Sequence, residues 1–311
     1  MSLDDNNLTL NGVRINGNAG NDTLEFLDTI AGSSLLGGQG DDTFNIGAAI
    51  SSLFNGNIGD DELNIEGVSS NSSFFGGQDD DTFVIDASTT NSLISGDLGD
   101  DEITVGAFSV AGSTLNGGDG EDTIDAELAT SSVTIDGGDD DDELQGSDFV
   151  DTISGGDGDD DITGGDEADI LTGGADADTF LQVAGNSFAA SATTAAALTG
   201  GAAITFTFDD GVDVVTDFAS ASGDVLNING TLTALLTSSG TTIVATHTAL
   251  FRGNFDATTD TFVTSASGAD ILAGTSGAHT ADAAITTSLL GANSIVLDGA
   301  ASGFVAGSTI I

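Results

Sequence analysis

A nine-residue pattern recurs between residues 17 and 181 and constrains the fold more than any other feature of the sequence. Each copy begins with Gly, usually has Gly or Asp at its fourth position, and has Asp at the sixth and an apolar residue at the eighth. It begins eleven times, at Gly17, Gly37, Gly56, Gly76, Gly96, Gly117, Gly137, Gly146, Gly155, Gly164 and Gly173. The sixth positions are Asp22, Asp42, Asp61, Asp81, Asp101, Asp122, Asp142, Asp151, Asp160, Asp169 and Asp178. The eighth positions are Leu24, Phe44, Leu63, Phe83, Ile103, Ile124, Leu144, Ile153, Ile162, Leu171 and Phe180. Such a period predicts a stack of similar coils.

The spacing of the copies predicts how the coils stack. Steps of 20, 19, 20, 20, 21 and 20 residues separate the copies from Gly17 to Gly137, and steps of 9 separate those from Gly137 to Gly173. Two nonapeptides match one long step closely, so both regions can share one coil size. We expect the loops that begin at 17, 37, 56, 76, 96, 117, 137, 155 and 173 to stack along one edge. The loops that begin at 146 and 164 are then expected on the other edge.

Short runs of alternating apolar residues lie between the loops. Thr43–Ile46, Thr82–Ile85 and Glu102–Val105 alternate in this way, which predicts strands with one buried face. The chain has no Pro, as expected where nearly every backbone N–H enters a sheet. We predict an all-β chain, with a parallel β-solenoid of 18–21-residue coils over residues 1–181 and a β-rich region over residues 182–311. Either hand of the coil satisfies the spacing.

The charge of the chain restricts its partners. There are 51 Asp and Glu residues against 2 Lys and Arg, a formal net charge of −49. Nucleic acid and anionic membranes need clustered basic side chains, so neither is an expected partner. The chain has no Cys and only two His, and its dense hard oxygen ligands favour Ca²⁺ over zinc or copper. Without a cation, mutual repulsion of the carboxylates predicts a disordered chain.

The loop composition suits calcium. Gly at the first and fourth positions is expected to adopt positive φ and to turn carbonyl oxygens inward. Asp replaces the fourth Gly at Asp79, Asp140 and Asp176, and Glu167 does so in one loop. Ca²⁺ takes about 6–8 oxygens, which two stacked loops can supply together. We therefore predict at most about nine ions between coils. The predicted ligands are the eleven sixth-position aspartates and the loop backbone that begins at Gly17, Gly37, Gly56, Gly76, Gly96, Gly117, Gly137, Gly155 and Gly173.

These motifs resemble the RTX (hemolysin-type) calcium-binding repeat, most closely in the tandem block Gly155–Gly174. The resemblance covers about residues 12–181 and implies a parallel β-roll that binds several Ca²⁺ ions. The segment Asp213–Ile228 resembles the one that follows RTX repeats in type I secretion substrates. Parts of Leu250–Leu297, including Gly268–Leu272, are similar to the C-terminal domains of cyanobacterial and marine RTX surface proteins. This likeness implies an extracellular or cell-surface protein, the type I secretion machinery as a partner, and an uncleaved C-terminal export signal.

The export route expected from the resemblance agrees with two further features. Met1–Asp5 has neither a basic nor an apolar segment, so we expect no N-terminal secretory signal. No apolar run approaches the roughly 18 residues of a membrane helix.

Three classes of function compete for this chain. We expect no enzyme and no catalytic residue, because the repeats begin near residue 12 and residues 182–311 show no nucleophile, phosphate loop or cofactor motif. A calcium-dependent adhesin or an ice-binding solenoid is the alternative, although charged loop residues such as Asp60, Asp80 and Asp100 break the flat Thr and Asn array that ice binding needs. The preferred hypothesis is a secreted structural protein that self-assembles into a surface layer or filament. An open sheet edge at Asn7–Leu10 would recruit another copy head to tail, and calcium could also bridge acidic flanks laterally.

Overall fold

Every element that the structure describes is a β-strand. The computed structural model describes residues 9–182, 190–192, 205–208, 213–217, 224–228, 249–256, 261–264, 282–286 and 294–297. The chain divides into two compact units, Met1–Asp160 and Asp161–Ile311. In the described part of the chain, no helix has the length and apolar character needed to cross a membrane.

Eighteen strands lie in the first unit. They are β1 (Leu10–Asn11), β2 (Arg14–Asn16), β3 (Thr23–Ala31), β4 (Ser34–Gln39), β5 (Thr43–Ile50), β6 (Leu53–Ile58), β7 (Glu62–Ile65), β8 (Ser69–Ser70), β9 (Ser73–Gln78), β10 (Thr82–Ile85), β11 (Thr89–Thr90), β12 (Leu93–Leu98), β13 (Glu102–Val105), β14 (Thr114–Asp119), β15 (Thr123–Asp125), β16 (Thr134–Asp139), β17 (Glu143–Gln145) and β18 (Thr152–Asp157).

The strands of the first unit form two parallel sheets. Sheet A has the order β1-β3-β5-β7-β10-β13-β15-β17, and sheet B has the order β2-β4-β6-β9-β12-β14-β16-β18. Each coil of the first unit therefore gives a strand to each sheet, and two coils add a second short strand to sheet A, β8 and β11, which pair with each other. The register aligns equal repeat positions, so that Thr82 pairs with Glu62 on one side and with Glu102 on the other. The predicted all-β parallel solenoid is confirmed.

The core of the coil stack lies between the two sheets. All eleven eighth-position residues are buried, with exposed fractions of 3% or less. Sheet B adds its own buried positions, among them Phe54 and Phe74, whose rings stack with centroids 5.0 Å apart. Phe44 of sheet A meets Phe54 edge-on at 6.5 Å. Burying each such side chain contributes on the order of 1.5–3 kcal/mol, and only stacking of neighbouring coils makes that burial complete.

The second unit contains eleven described strands. They are β19 (Asp161–Thr163), β20 (Ile170–Ala175), β21 (Thr179–Gln182), β22 (Ala190–Ala192), β23 (Thr205–Phe208), β24 (Asp213–Val215), β25 (Val225–Ile228), β26 (Ala249–Asp256), β27 (Thr261–Thr264), β28 (Asp282–Thr286) and β29 (Ser294–Leu297).

Parallel pairing in the second unit gives way to antiparallel pairing. β19-β21-β25 and β20-β24-β29 are parallel, whereas β29-β28-β26-β27-β23-β22 are joined by antiparallel pairs. The expected β-rich character of this region agrees with these strands. The expected likeness at Gly268–Leu272 lies outside the described residues. The domain boundary between residues 181 and 182 stays a prediction.

Candidate metal centre along the aspartate ladder

The sixth-position aspartates of the first unit form a continuous ladder across the coils. The backbone N–H of each donates a hydrogen bond to the Oδ1 atom of the Asp one coil further on. From Asp22 to Asp42, Asp61, Asp81, Asp101, Asp122, Asp142 and Asp160, the seven N···Oδ1 distances are 2.7, 2.6, 2.7, 2.7, 2.7, 2.8 and 3.0 Å. We call these eight residues the aspartate ladder. Their alignment confirms that the loops beginning at 17 through 155, other than 146, share one edge.

Six of the eight ladder carboxylates are both buried and hydrogen-bonded through only one oxygen. Asp42, Asp61, Asp81, Asp101, Asp122 and Asp142 are 1–3% exposed. The Oδ2 atom of each of these six has no hydrogen-bond partner among the described residues. A buried carboxylate oxygen without a partner is costly and normally implies a cation or a proton.

Burial and mutual repulsion raise the pKa of six ladder carboxyls, those of Asp42, Asp61, Asp81, Asp101, Asp122 and Asp142. Loss of hydration is the largest cause, and the backbone N–H of the preceding ladder residue opposes it by stabilising the anion. Neighbouring ladder and loop carboxylates add to the rise. The pKa of Asp61, Asp101 and Asp122 is raised to about 7, that of Asp81 and Asp142 to about 8, and that of Asp42 upward from 3.8. A divalent cation would displace these protons near neutral pH.

Glycine is needed at the first loop position because a side chain there would overlap neighbouring atoms, and not because the backbone adopts a positive φ. Positive φ occurs at the second and fourth loop positions, for example at Gly38 (123°) and Gly40 (104°), but not at Gly37. The expectation for the fourth position is confirmed, and that for the first position is wrong. A Cβ on Gly37 would overlap the Oδ2 atom of Asp42 and would lie 2.8 Å from the carbonyl oxygen of Gly56 in the next coil. The first Gly therefore leaves room for a carboxylate and a carbonyl to converge between coils.

Substituted fourth positions keep the same turn. Asp79, Asp140, Glu167 and Asp176 have φ of 75°, 79°, 72° and 71°. Asp tolerates this left-handed conformation better than most residues, and Glu167 adopts it as well. The loop geometry thus survives the loss of Gly at this position.

The oxygens at the ladder edge fit calcium. No group of three or more His, Cys, Asp or Glu side chains converges on one point among the described residues, so one carboxylate per coil must be joined by backbone oxygens. Calcium accepts such mixed carboxylate and carbonyl ligands in flexible numbers. The unpartnered Oδ2 atoms and the facing glycine carbonyls supply that combination.

The opposite edge is built from serines. The backbone N–H of Ser33, Ser52 and Ser72 each donates to the Oγ atom of the serine one coil on, at 3.2 Å, and Ser92 donates to Ser113 at 3.0 Å. We call Ser33, Ser52, Ser72, Ser92 and Ser113 the serine ladder. All five are buried. Sequence reasoning missed this ladder, although a Ser recurs two residues before five core residues of sheet B, namely Leu35, Phe54, Phe74, Ile94 and Leu115.

Asp151 occupies the serine position in its coil, and both of its carboxylate oxygens accept hydrogen bonds from the protein. Its Oδ1 atom accepts a hydrogen bond from the Val133 N–H at 2.7 Å, and its Oδ2 atom accepts one from the Ser147 N–H at 2.6 Å. The Ser147 hydroxyl also lies 2.9–3.0 Å from both oxygens. The structure therefore separates Asp151 from the aspartate ladder, as the spacing predicts, and surrounds its carboxylate with protein donors.

The second unit contains three aspartates that were not among the predicted ligands, namely Asp213, Asp224 and Asp217. Asp213 accepts a hydrogen bond from the buried Asp169 through its Oδ1 atom at 3.2 Å. Asp224 precedes the strand that pairs with β21, in the position equivalent to Asp178, and is buried. Both precede an apolar pair, Val214-Val215 and Val225-Leu226, and this Asp-apolar signal was available without the nonapeptide. Asp217 completes the group, since it accepts the N–H groups of Gly173 and Gly174 at 3.0 and 2.9 Å.

Stacked loops with a buried carboxylate ladder define a calcium-binding β-solenoid. A protein-family comparison agrees, since the model for the RTX calcium-binding nonapeptide repeat (4 copies) matches residues 14–26, 113–128 and 145–180. The chain therefore carries RTX calcium-binding repeats, and these repeats imply several Ca²⁺ ions bound in the β-roll. No curated protein gives a significant match to the chain as a whole.

Proposed function

We propose that the chain is an extracellular structural protein whose solenoid folds when calcium fills the aspartate ladder. The row of six buried carboxylates, each with one unpartnered oxygen, carries this proposal. The proposed ligands are the ladder aspartates with Asp169 and Asp178, and the carbonyls of the first-position glycines. Asp151 is set apart, because protein donors already engage both of its carboxylate oxygens.

The charge balance supports folding on export. At a net charge of −49, the metal-free chain repels itself, and burying the ladder costs further free energy. Each Ca²⁺ ion removes part of both penalties, so metal binding and folding become one equilibrium. Extracellular calcium modules bind at about 10⁻⁴ to 10⁻³ M, far above cytosolic calcium. The RTX repeats, through their link to type I export, support a chain that crosses the export machinery unfolded and folds outside.

Chelation tests this function. Far-ultraviolet circular dichroism and size-exclusion chromatography are recorded with excess calcium and after complete chelation. We expect chelation to remove most of the β signal and to increase the hydrodynamic radius, and calcium to restore both. Unchanged β content and radius after chelation would contradict the proposal.

We also propose that the folded solenoid self-assembles into a filament or surface layer rather than acting as an enzyme. Some RTX proteins are toxins or enzymes, but the perturbed carboxyls here lie in a regular ladder instead of a cleft. Exposed apolar side chains, among them Leu53, Ile58 and Leu98, support association. Electron microscopy of calcium-loaded protein is expected to show filaments or sheets. A strictly monomeric particle at high concentration would defeat this part of the proposal.

An adhesive or ice-binding role is the alternative. The outward row of sheet A alternates Thr with Glu, through Thr43, Glu62, Thr82, Glu102, Thr123 and Glu143. Alternating carboxylates interrupt the hydroxyl array that would match ice. This row favours the structural role, and thermal hysteresis of calcium-loaded protein would reverse the preference.

A further inference from the structure

The coils of the first unit become more acidic along the stack. We call residues 17–116 the early coils and residues 117–160 the late coils. The early coils contain 17 Asp and Glu residues in 100 positions, and the late coils contain 16 in 44. The row of third loop positions along sheet B shows the change, since it is uncharged in the early coils and acidic in the late ones. It runs through Gln39, Ile58, Gln78, Leu98, Asp119, Asp139 and Asp157.

The apolar core becomes thinner over the same residues. Two positions after the buried eighth residue, the five early coils place a buried Phe, Ile or Val, and the next two coils have only Ala and Gly. These residues are Phe26, Ile46, Ile65, Ile85, Val105, Ala126 and Gly146. Within residues 9–160, Phe83 is also the last Phe with a buried side chain. Because burial of apolar surface is the main favourable term in folding, each late coil contributes less to the stability of the stack.

The edge opposite the aspartate ladder changes as well. The serine ladder ends at Ser113, and Asp151 occupies the equivalent position in the coil that begins at Gly137. That coil therefore buries one carboxylate at each edge, Asp142 and Asp151, which are 3% and 1% exposed. Removing a charge from water costs free energy even where protein donors replace part of its hydration. The late coils thus combine a thin core with additional buried charge.

One Ca²⁺ ion between neighbouring coils balances the charge of the early coils better than that of the late ones. The five early coils carry two to four carboxylates each, whereas residues 117–136 and 137–154 carry six and seven. An ion with two positive charges therefore offsets half or more of the carboxylates in an early coil, and a third or fewer in a late coil. The excess charge of a late coil remains when the ladder is filled, and its repulsion opposes the compact state at every calcium concentration.

We propose that the late coils are the calcium-sensitive part of the first unit, and that they open first when free calcium falls. This order rests on the proposed calcium-driven folding and adds where along the stack that folding is most easily reversed. A stack of repeats permits such partial opening, because each coil contacts only its neighbours. At intermediate calcium, the early coils are then folded while the late coils are open, and complete removal of calcium opens both.

Hydrogen exchange measured by mass spectrometry locates the opening. Wild-type protein is followed across a series of buffered free calcium concentrations at constant pH and ionic strength. We expect late-coil peptides to lose protection at a free calcium concentration at least about threefold above that for early-coil peptides. The reason is that each missing core side chain lowers a folding constant about tenfold or more, and several ions share the difference. Both groups of peptides come from the same sample, so each sample contains its own control.

Matched charge variants test the contribution of the excess charge. Asp119→Gln combined with Asp139→Gln gives the late coils the side chain that Gln39 and Gln78 place at the equivalent positions, and all four residues are exposed. We expect this double variant to lower the free calcium concentration at which late-coil peptides open. Gln39→Asp combined with Gln78→Asp is expected to raise that concentration for early-coil peptides. Circular dichroism in saturating calcium checks that both variants fold, and an unchanged opening in both would overturn the excess charge as a cause.

The remaining outcomes separate this order of opening from the proposed function. Loss of protection at one calcium concentration in peptides of both groups would overturn the order and leave calcium-driven folding standing. Opening of the early coils before the late coils would do the same. Full protection of every peptide after complete chelation would overturn both the order and calcium-driven folding.

Discussion

At the scale of single residues, each ladder aspartate has two different oxygens. The Oδ1 atom accepts a backbone N–H and links neighbouring coils, whereas Oδ2 points into a space bounded by glycine carbonyls. The first oxygen supports the fold with or without metal. The second has a partner only when a proton or a cation is present. The two roles explain why the sixth position is Asp in every copy. An Asn side chain could also accept the backbone N–H of the neighbouring coil, but it would bind calcium more weakly.

The raised pKa values predict that acid stabilises the metal-free solenoid. The folded-state pKa of Asp61, Asp81 and Asp142 is about 7, 8 and 8, against an ordinary value of 3.8. The folded state therefore binds more protons than the unfolded state between these values. The stabilisation is complete below about pH 4, falls through the acid range, and is lost above about pH 8. Without calcium, we expect β content by circular dichroism to rise as pH is lowered from 8 to 5. No rise would contradict the raised pKa values.

Neutralising one ladder carboxyl is expected to have opposite effects with and without calcium. Asp81→Asn removes a buried charge, so we expect the metal-free state at pH 8 to become easier to fold. The same change removes a proposed calcium ligand and is expected to raise the calcium concentration at the midpoint of folding about tenfold. Asp80→Asn alters the exposed neighbouring carboxyl and serves as the control, with a smaller shift. A midpoint no different from that of Asp80→Asn would remove Asp81 from the calcium ligands.

At the scale of the elements, the two edges of each coil use one geometry with different chemistry. A backbone N–H meets an oxygen of the next coil at both edges, from Asp on one and from Ser on the other. Ser brings a neutral oxygen that is already satisfied by protein, whereas Asp brings charge that needs a counter-ion. In the first unit, we therefore expect calcium dependence to belong to the aspartate edge and the serine edge to be independent of metal.

We expect the loss of one serine-ladder hydroxyl to lower the free energy of unfolding, even in saturating calcium. Ser72→Ala leaves the buried Ser52 N–H without its acceptor, which costs about 1–3 kcal/mol. Ser73→Ala, at the next, half-buried position on the outer face, is the matched control and is expected to cost less. Urea unfolding in saturating calcium measures both. Equal stability of Ser72→Ala and Ser73→Ala would show that the ladder contributes nothing.

At the scale of the whole molecule, charge opposes the fold and the coil stack favours it. The core alone is thin, because each coil contributes only a few apolar side chains between two sheets. On the proposed function, calcium bridges neighbouring coils and shifts this balance toward the folded state, so that local ion binding affects the entire stack. Repeat proteins of this kind gain stability mainly from contacts between neighbouring units.

Ion specificity follows from this balance. Calcium accepts irregular sets of carbonyl and carboxylate oxygens, whereas magnesium holds its water and demands octahedral geometry. We expect calcium to reduce the hydrodynamic radius and to restore β structure, and an equal concentration of magnesium to leave the chain expanded. Magnesium acting as well as calcium would show that charge screening alone drives folding.

Much of the fold and site could be predicted from the sequence because the repeat is local. Nine-residue spacing determined the coil size, the buried eighth positions and the aspartates that share an edge. Residues outside the nine-residue motif were missed because no local repeat marks them. Asp213 follows Asp169 by 44 residues, and no local period connects them. Its contact with Asp169 depends on the pairing of β20 with β24.

The sequence by itself determined a calcium-binding coil stack, because the repeat encodes turn, core and carboxylate within nine residues. Only the tertiary structure decided which atoms meet between coils. It showed that the first glycines make room for a carboxylate rather than provide positive φ, and that serines replace aspartates on the second edge. These features depend on the register between residues about one coil apart, and that register is set by packing and hydrogen bonding in three dimensions.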